Sequence, residues 1–257
     1  MEFNFKGKKA IVTGGGSGLG RECALLFAKG GADVLIADLL PERCDTVAEE
    51  IRNLGVNAIA YPIDVCDYSQ MEAMYKKALE EWGRVDFVVN SAGVCLTEEL
   101  TKQSLKDINL SIDVNIKGTV YSCREALKIM RPQKYGKIVN MSSIAAKSCA
   151  GGFSVYSATK AAVLALTASL GREAALDNVN VNCICPGIIK TSIQFVDGKI
   201  TSFDDDEKLD SLPENLIVVP GFIDEHIHGA NGSDTMYATR KDLENIACSL
   251  TQDGVTS

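Results

Sequence analysis

Tyr156 and Lys160 are the two residues whose types and spacing best suit proton transfer. They stand four positions apart in a stretch whose apolar pattern predicts a helix over 155–176, and positions i and i+4 lie on one helical face. A nearby ammonium favours phenolate, so we expect Lys160 to lower the pKa of Tyr156 from its ordinary value of about 10, as a general acid and base requires. The same spacing is also common on solvated helix faces, where it has no chemical role.

Two polar residues are candidates to join this pair. Ser143 follows a predicted strand over 137–141, and Asn115 lies inside a predicted helix over 103–131. The candidate catalytic residues are therefore Asn115, Ser143, Tyr156 and Lys160.

A glycine-rich turn, Thr13-Gly14-Gly15-Gly16-Ser17-Gly18-Leu19-Gly20, comes earlier in the chain. It joins an apolar run over 9–13, which predicts a strand, to a helical pattern over 21–29. Gly14 and Gly18 permit backbone angles or close approaches that a Cβ would forbid, and Gly20 lets the helix pack closely on the strand. Free N–H groups at the start of a helix favour an anion such as a pyrophosphate. The turn therefore predicts a dinucleotide site, although many glycine-rich turns are plain loops.

Strand and helix patterns alternate along most of the chain. Apolar runs predict further strands over 34–38, 58–61, 85–90, 137–141 and 179–185, and amphipathic patterns predict helices over 41–54, 68–82, 103–131 and 155–176. This alternation predicts an α/β fold, a Rossmann-like doubly wound parallel sheet with helices on both faces. Ligands of such folds bind at the carboxyl ends of the strands.

Several polar residues fall at those carboxyl ends. Asp38 ends the second strand, where its carboxylate can accept hydrogen bonds from the adenosine ribose, although a helix cap or turn is the alternative. Its charge would repel the 2′-phosphate of NADP, and Ser17 and Leu39 stand where a basic residue would neutralise that phosphate, so we expect NAD. Asp64 and the run Asn90-Ser-Ala-Gly93 lie on the same rim.

Over residues 5 to about 193 the chain resembles the classical short-chain dehydrogenases and reductases. The motifs that carry the resemblance are Thr13-Gly14-x-x-x-Gly18-x-Gly20, Asp64, Asn90-Ser-Ala-Gly93, Asn115, Ser143, Tyr156-x-x-x-Lys160 and Pro186-Gly187-Ile-Ile-Lys-Thr191. The resemblance implies hydride transfer between NAD(H) and a secondary alcohol or ketone.

The resemblance also implies residue roles. Tyr156 would exchange a proton with the reacting oxygen, and Ser143 would hydrogen-bond that oxygen. Lys160 would bind the nicotinamide ribose and tune Tyr156, Asn115 would hold a water of the proton relay, and the backbone near Ile189 would meet the carboxamide. The expected cofactor-binding residues are Gly14, Ser17, Gly18, Leu19, Gly20, Asp38, Leu39, Asp64, Val65, Asn90, Ala92, Gly93, Tyr156, Lys160, Pro186, Gly187, Ile189 and Thr191.

Composition narrows the choice of partners. The net charge of −8 argues against nucleic acid and against an anionic membrane surface. No apolar run reaches the roughly 18 residues of a membrane helix, and the start lacks a leader pattern, so we expect a cytoplasmic protein. The nine cysteines contain no Cys-x-x-Cys pair, which predicts reduced thiols rather than disulfides or metal ligands.

The sequence pattern changes near residue 194, so we expect a dehydrogenase domain over 1–193 and an appended segment over 194–257. The family's substrate lid, further helix and seventh strand are not recognisable after Thr191. Instead, the run from Phe195 to Phe203, with its Asp-Gly pair, predicts a hairpin. Residues 216–236 and 253–257 resemble the start of an amidohydrolase, most closely an N-acetylglucosamine-6-phosphate deacetylase. The change indicates a fusion or truncation near residue 194.

His226 and His228, the only two histidines, would share one face of a strand as metal ligands do, with Asp224 as a third. An amidohydrolase barrel takes roughly 250 residues and draws its other ligands from later strands. We therefore expect no metal site in this segment.

Three hypotheses follow. The first is an NAD-dependent oxidoreductase acting on a small alcohol or ketone, the second a metal-dependent deacetylase fragment, and the third a nucleotide-binding fusion without activity. NAD binding with turnover, bound Zn²⁺, or NAD binding without turnover would distinguish them. We also expect a homo-oligomer, either a dimer or a tetramer.

Overall fold

The computed structural model describes residues 4–187, together with the backbone of Phe195–Val196 and Lys199–Ile200. Six parallel strands form one sheet in the order β3-β2-β1-β4-β5-β6. The expected Rossmann-like α/β fold is therefore confirmed. The strands are β1 (Lys9–Thr13), β2 (Asp33–Asp38), β3 (Ala58–Pro62), β4 (Phe87–Asn90), β5 (Gly136–Met141) and β6 (Val179–Ile184).

Helices connect the strands. They are α1 (Gly18–Lys29), α2 (Pro41–Asn53), α3 (Tyr68–Trp82), α4 (Leu105–Ile112), a π-helix (Asp113–Gly118), α5 (Thr119–Gln133), α6 (Ala145–Ser148), α7 (Ser154–Ala174) and a 3-10 helix (Ala175–Asp177). The single helix expected over 103–131 is thus three segments. The strand expected over 85–90 begins at Phe87. Just before Phe87, the Asp86 carboxylate accepts the hydrogen bond from the Lys9 N–H (2.9 Å), and this interrupts the backbone pairing.

Hydrophobic cores fill both faces of the sheet, because successive strand residues point to opposite sides. Ile11 of β1 packs with α3 and α5, whereas Val12 packs with α1 and α2. The continuous apolar strands are therefore buried on both faces, as a parallel sheet with helices on each side requires.

The chain reverses its direction of travel across the sheet between β1 and β4. From β1 it moves outward through β2 and β3, then returns to β4 on the other side of β1. The loops that leave these two central strands diverge, which opens a crevice at their carboxyl ends.

A two-stranded antiparallel sheet pairs β7 (Phe195–Val196) with β8 (Lys199–Ile200). The antiparallel pairing of these two strands confirms the expected hairpin. The expected loss of the lid and last strand, the boundary at 193/194, and His226 and His228 lie outside the described residues.

None of the helices in the described part of the chain combines the length and apolar character needed to cross a lipid bilayer.

Candidate active site

The glycine turn after β1 brings three backbone segments together. Gly14 has φ +65°, and a Cβ there would stand 2.7 Å from the backbone N of Ala92 in the loop after β4. A Cβ on Gly20 would stand 2.2 Å from the carbonyl oxygen of Gly14. Only glycine fits at these two positions, as the sequence motif predicted.

Helix α1 begins directly at this turn, and its N-cap is Ser17. The side chain of Ser17 is exposed and makes no capping hydrogen bond. Because a helix leaves the N–H groups of its first turn without intrahelical acceptors, they are available to an anion here. Gly18 has φ +53°, and Leu19 faces the cleft described below.

Asp38 lies across the turn from Ser17. Its carboxylate accepts hydrogen bonds from the N–H groups of Gly16 (3.1 Å) and Leu40 (3.3 Å), and Leu39 beside it is exposed. A Cβ on Gly16 would be 2.7 Å from the Cβ of Arg43. Our sequence reasoning missed Arg43, since an exposed arginine on α2 carries no local signal.

Asp64 and Val65 lie in the connection from β3 to α3. Asp64 is exposed and accepts a hydrogen bond from the Cys66 N–H (2.9 Å). Val65 is buried, and a Cβ on Gly118 would be 2.9 Å from it. Asp64 therefore lies on the rim with its carboxylate accessible, whereas Val65 contacts the π-helix.

Asn90 ends β4, but its side chain turns into the core. Its amide donates to Asn140 (2.8 Å), and its oxygen accepts from Ser122 (2.5 Å). The structure thus separates Asn90 from its neighbours Ala92 and Gly93, whose backbone lines the crevice. A Cβ on Gly93 would be 3.3 Å from the Lys160 ammonium.

Asn115 is fully buried in the π-helix and holds the loop after Gly93. Its side chain accepts from the Val94 N–H (2.8 Å) and donates to the Val94 carbonyl (2.9 Å) and to Thr159 of α7 (3.0 Å). The side chain contacts these groups because the π-helix interrupts regular helical geometry at this point, and such segments are frequent at functional sites. The sequence pattern contained no sign of this interruption.

Tyr156 and Lys160 lie on one face of α7, as their spacing predicted, with the Lys160 ammonium 5.8 Å from the Tyr156 ring centroid. The ammonium donates to the Met141 carbonyl at the end of β5 (2.9 Å). The Ser143 side chain lies close enough to the Tyr156 hydroxyl to oppose the rise in its pKa. The three side chains and the end of β5 therefore form one connected group.

The expected lowering of the Tyr156 pKa is wrong. Burial raises the pKa of Tyr156 above its ordinary value, and the interaction with Ser143 opposes this effect. Burial also lowers the pKa of Lys160, which is 6% exposed. Burial destabilises the charged form of each group, and sequence spacing does not report burial.

A cleft of about 270 Å³ joins these features. It brings together seven of the predicted site residues, and it also includes five that were not predicted as site residues: Ser91, Val94, Cys95, Met141 and Ser142. Ser142 stands next to Ser143, and this serine pair was the one available signal. The lining residues are Leu19, Ser91, Gly93, Val94, Cys95, Met141, Ser142, Ser143, Tyr156, Lys160, Pro186 and Gly187.

Ile189 and Thr191, predicted to bind the cofactor, lie outside the described residues. Pro186 is held at the cleft by its carbonyl, which accepts from the Ile144 N–H (3.0 Å). Among residues 4–187, no group of three or more histidine, cysteine, aspartate or glutamate residues is arranged to hold a metal ion.

Comparisons with known proteins bear on the family of the chain. A family model described as short chain dehydrogenase matches residues 8–198. A 3-oxoacyl-acyl-carrier-protein reductase of Chlamydia pneumoniae is 35% identical over 196 residues, which cover 76% of this chain and 79% of that protein. An uncharacterized oxidoreductase of Staphylococcus aureus strain USA300 is 37% identical over 186 residues, covering 72% and 80%. Among solved structures, NAD⁺-bound xylitol dehydrogenase is similar, with TM-score 0.70 and 28% identity over 71% of each chain.

Proposed function

The chain is an oxidoreductase of the short-chain dehydrogenase family, and we propose that it interconverts a secondary alcohol and a ketone with NAD(H) as hydride carrier. One observation carries the proposal. Ser143, Tyr156 and Lys160 surround a cleft that also reaches the start of α1, beside the glycine turn. A proton-transfer group and an anion-binding helix start thus open onto the same space.

The residues present fit a nicotinamide dinucleotide. Gly14 lets the glycine turn approach the backbone of Ala92 closely, and the first turn of α1 offers N–H groups to a pyrophosphate. Asp38 offers a buried carboxylate at the end of β2, where ribose hydroxyls are bound in this type of fold. When bound, the nicotinamide would supply or accept the hydride.

Tyr156 handles the proton. In alcohol oxidation, its deprotonated oxygen takes the substrate hydroxyl proton while the hydride leaves the adjacent carbon, and in ketone reduction the proton returns. Ser143, which lines the same cleft as Tyr156, holds the substrate oxygen at the same place.

Lys160 and Asn115 support this transfer. The Lys160 ammonium lies near the Tyr156 ring and Gly93, where it can bind a ribose hydroxyl. Asn115 holds the Val94 loop in place, and its role as holder of a relay water is part of the proposal.

We propose NAD rather than NADP because of Asp38. A 2′-phosphate within roughly 5 Å of this carboxylate would cost on the order of 3 kcal/mol per charge pair at an effective dielectric constant near 20. Arg43 is the one described basic residue whose stem packs beside Gly16, so its charge opposes this effect. A thermal-shift titration tests the balance: NAD should stabilise the protein more than NADP, and the reverse order contradicts the proposal.

A cofactor-reduction screen tests the activity itself. The panel contains polyols, sugars, steroids and 3-hydroxyacyl thioesters, because relatives named for xylitol and 3-oxoacyl substrates leave the substrate open. Tyr156→Phe should lower kcat/KM by at least about 100-fold and leave NADH binding within a few fold. Tyr135→Phe is the matched control, because Tyr135 lies just before β5, at the amino ends of the strands and away from the cleft. Substantial activity in Tyr156→Phe removes this residue from the mechanism.

We also propose a homo-oligomer, either a dimer or a tetramer. Helix α4 exposes two apolar side chains, Leu105 and Leu110, and of its residues only Ser111 is buried. Apolar surface of this kind favours association. Light scattering during size-exclusion chromatography tests it, and a monomer at micromolar concentration contradicts it.

A further inference from the structure

Five buried side chains form a continuous series of hydrogen bonds through one face of the sheet. We call this series the core ladder: Tyr75, Ser122, Asn90, Asn140 and Thr167. It starts at Tyr75 of α3, whose hydroxyl is 2.7 Å from the hydroxyl of Ser122 on α5. It ends at Thr167 of α7. The ladder therefore links three helices through two adjacent strands.

The middle of the core ladder consists of two asparagine side chains, each of which also contacts the Cys123 thiol. Ser122 donates to the Asn90 oxygen (2.5 Å), and the Asn90 amide donates to the Asn140 oxygen (2.8 Å). The Asn140 amide then donates to the Thr167 hydroxyl (2.9 Å), which donates to the Val163 carbonyl (2.7 Å). Each bond has one geometry that satisfies both partners.

All five side chains are buried, so a shift in any one leaves a polar atom unpaired away from water. Such an atom costs more than the bond contributes, because it has lost its hydration. The core ladder therefore permits one register of the helices against the strands. Burial also raises the pKa of Tyr75, which keeps its hydroxyl protonated as a donor.

The ladder meets the active site where α7 lies on β5. Thr167 follows Lys160 by two helical turns, on the same side of α7. Asn140 directly precedes Met141, whose carbonyl accepts from the Lys160 ammonium. Ser142 adds a second tie, since its hydroxyl donates to the Lys160 carbonyl (2.8 Å). Helix α7 is thus joined to this strand at Lys160 and again at Thr167.

We propose that the core ladder is a positioning device for the reaction: it sets where α7 lies along β5 and thereby holds the Tyr156 phenol against Ser143. Neither Tyr75 nor Thr167 lines the cleft, so both are positioning residues. The rate effects predicted below rest on the proposed function, whereas the titration effects do not.

Thr167→Val tests the ladder, because it keeps the shape of the side chain but removes the hydroxyl. We expect kcat to fall about tenfold, since small misplacements of reacting groups are costly, while the KM for NAD stays within twofold. In protein labelled with ¹³C at the tyrosine Cζ, the pKa of Tyr156 should rise, because the Ser143 interaction that lowers it becomes weaker. Loss of the resonance in Tyr156→Phe identifies Tyr156.

Two variants complete the comparison. Thr167→Ser keeps the hydroxyl and should restore both kcat and the Tyr156 titration. Ser111→Ala removes a fully buried hydroxyl that has no hydrogen-bond partner among the described residues, and it should change neither. A folded Thr167→Val protein whose kcat and Tyr156 titration match those of Ser111→Ala overturns the proposal.

The two proposals fail differently. If the wild-type protein turns over no alcohol but the Tyr156 titration still moves in Thr167→Val and returns in Thr167→Ser, the proposed function fails and the ladder stands. If Thr167→Val does not fold, Tyr75→Phe, which removes only the terminal hydroxyl, takes its place. An unchanged titration in a folded Tyr75→Phe protein then overturns the ladder.

Discussion

At the residue scale, the candidate site depends on ionisable groups that are held away from water. Lys160 is almost fully buried, and within residues 4–187 its ammonium donates to a neutral acceptor, the Met141 carbonyl. Asp38 is buried as well, and two backbone N–H groups compensate its charge. Burial of each charged group therefore has a desolvation cost, which a bound ligand can offset. Replacing either residue should change ligand binding or stability measurably.

Asp38→Asn should shift cofactor preference toward NADP. The amide oxygen can still accept the Gly16 N–H, so the turn keeps its hydrogen bond, but the repulsion of a 2′-phosphate is lost and Arg43 remains. We expect the dissociation constant for NADP, divided by that for NAD, to fall by about tenfold or more. The reason is that the variant loses a charge repulsion on the order of 3 kcal/mol. Calorimetric titration measures both constants.

Glu49→Gln is the control for Asp38→Asn, because it removes one negative charge from the exposed face of α2. The same change in preference in both variants would show that net charge, rather than the position of Asp38, controls cofactor choice.

Lys160→Met should reveal the cost of the buried ammonium through pH. Burial lowers the pKa of Lys160 in the folded protein, so between that value and the ordinary lysine value of about 10.5 the unfolded chain binds the proton and the folded chain does not. The free energy of unfolding of the wild type therefore rises with pH across this window, relative to Lys160→Met. Chemical denaturation at several pH values measures both free energies of unfolding, and a wild-type minus variant difference that stays constant or falls as pH rises contradicts the assignment.

At the element scale, the segment from 105 to 133 shows how a helix is adapted to a site. Its regular turns end at Ile112, pass through the π-helix and resume at Thr119. The interruption places Asn115 between the Val94 loop and α7. Helix α7 is regular over its whole length, and so the 3.6-residue period is enough to place Tyr156 and Lys160 together.

The turn from β1 to α1 should be the element least tolerant of added volume. Gly20→Ala places a Cβ against the Gly14 carbonyl, and neither backbone can retreat because both belong to the same tight turn. We expect a loss of at least about 2 kcal/mol in the free energy of unfolding and weaker NADH binding. Denaturant titration and NADH fluorescence measure the two effects.

Gly151→Ala is the matched control, since a Cβ there meets no atom within 4 Å and the residue does not have positive φ. Equal losses of stability in Gly20→Ala and Gly151→Ala would show that close packing at the turn is not the cause.

At the scale of the whole molecule, the parallel sheet gathers the site. The turn after β1, the loop after β4 and the serines after β5 belong to adjacent strands, so their carboxyl ends meet although their sequence positions are far apart. Helices on both faces supply the two cores that hold this arrangement. The expected loss of the lid and the segment resembling an amidohydrolase both concern residues after 187, outside the described part of the chain.

The 257-residue chain should not hydrolyse N-acetylglucosamine 6-phosphate, and His226→Ala combined with His228→Ala should leave its dehydrogenase activity within twofold of the wild type. A catalytic zinc site needs about three fixed protein ligands and an open position for water, whereas the chain has two histidines. Deacetylase and dehydrogenase assays on both proteins measure this. Hydrolysis that a chelator abolishes and the double variant lacks would support the deacetylase hypothesis instead.

Local pattern was enough to predict much of the protein. The alternation of strand and helix predicts the parallel sheet. The spacing of apolar residues gives each helix an apolar face, and that face must be buried against the strands. The same holds for the glycines of the turn, which satisfy steric requirements within a few residues, and for Tyr156 and Lys160, whose separation is one helical turn.

Tertiary structure alone decided the features that depend on distant neighbours. Asn90 turns into the core because Ser122 and Asn140 satisfy its amide there, and nothing near it in the sequence indicates either partner. The π-helix around Asn115 similarly depends on the Val94 loop and Thr159. The Tyr156 pKa rises rather than falls because burial outweighs the opposing interaction with Ser143, and burial is a property of the packed molecule that spacing along one helix cannot contain.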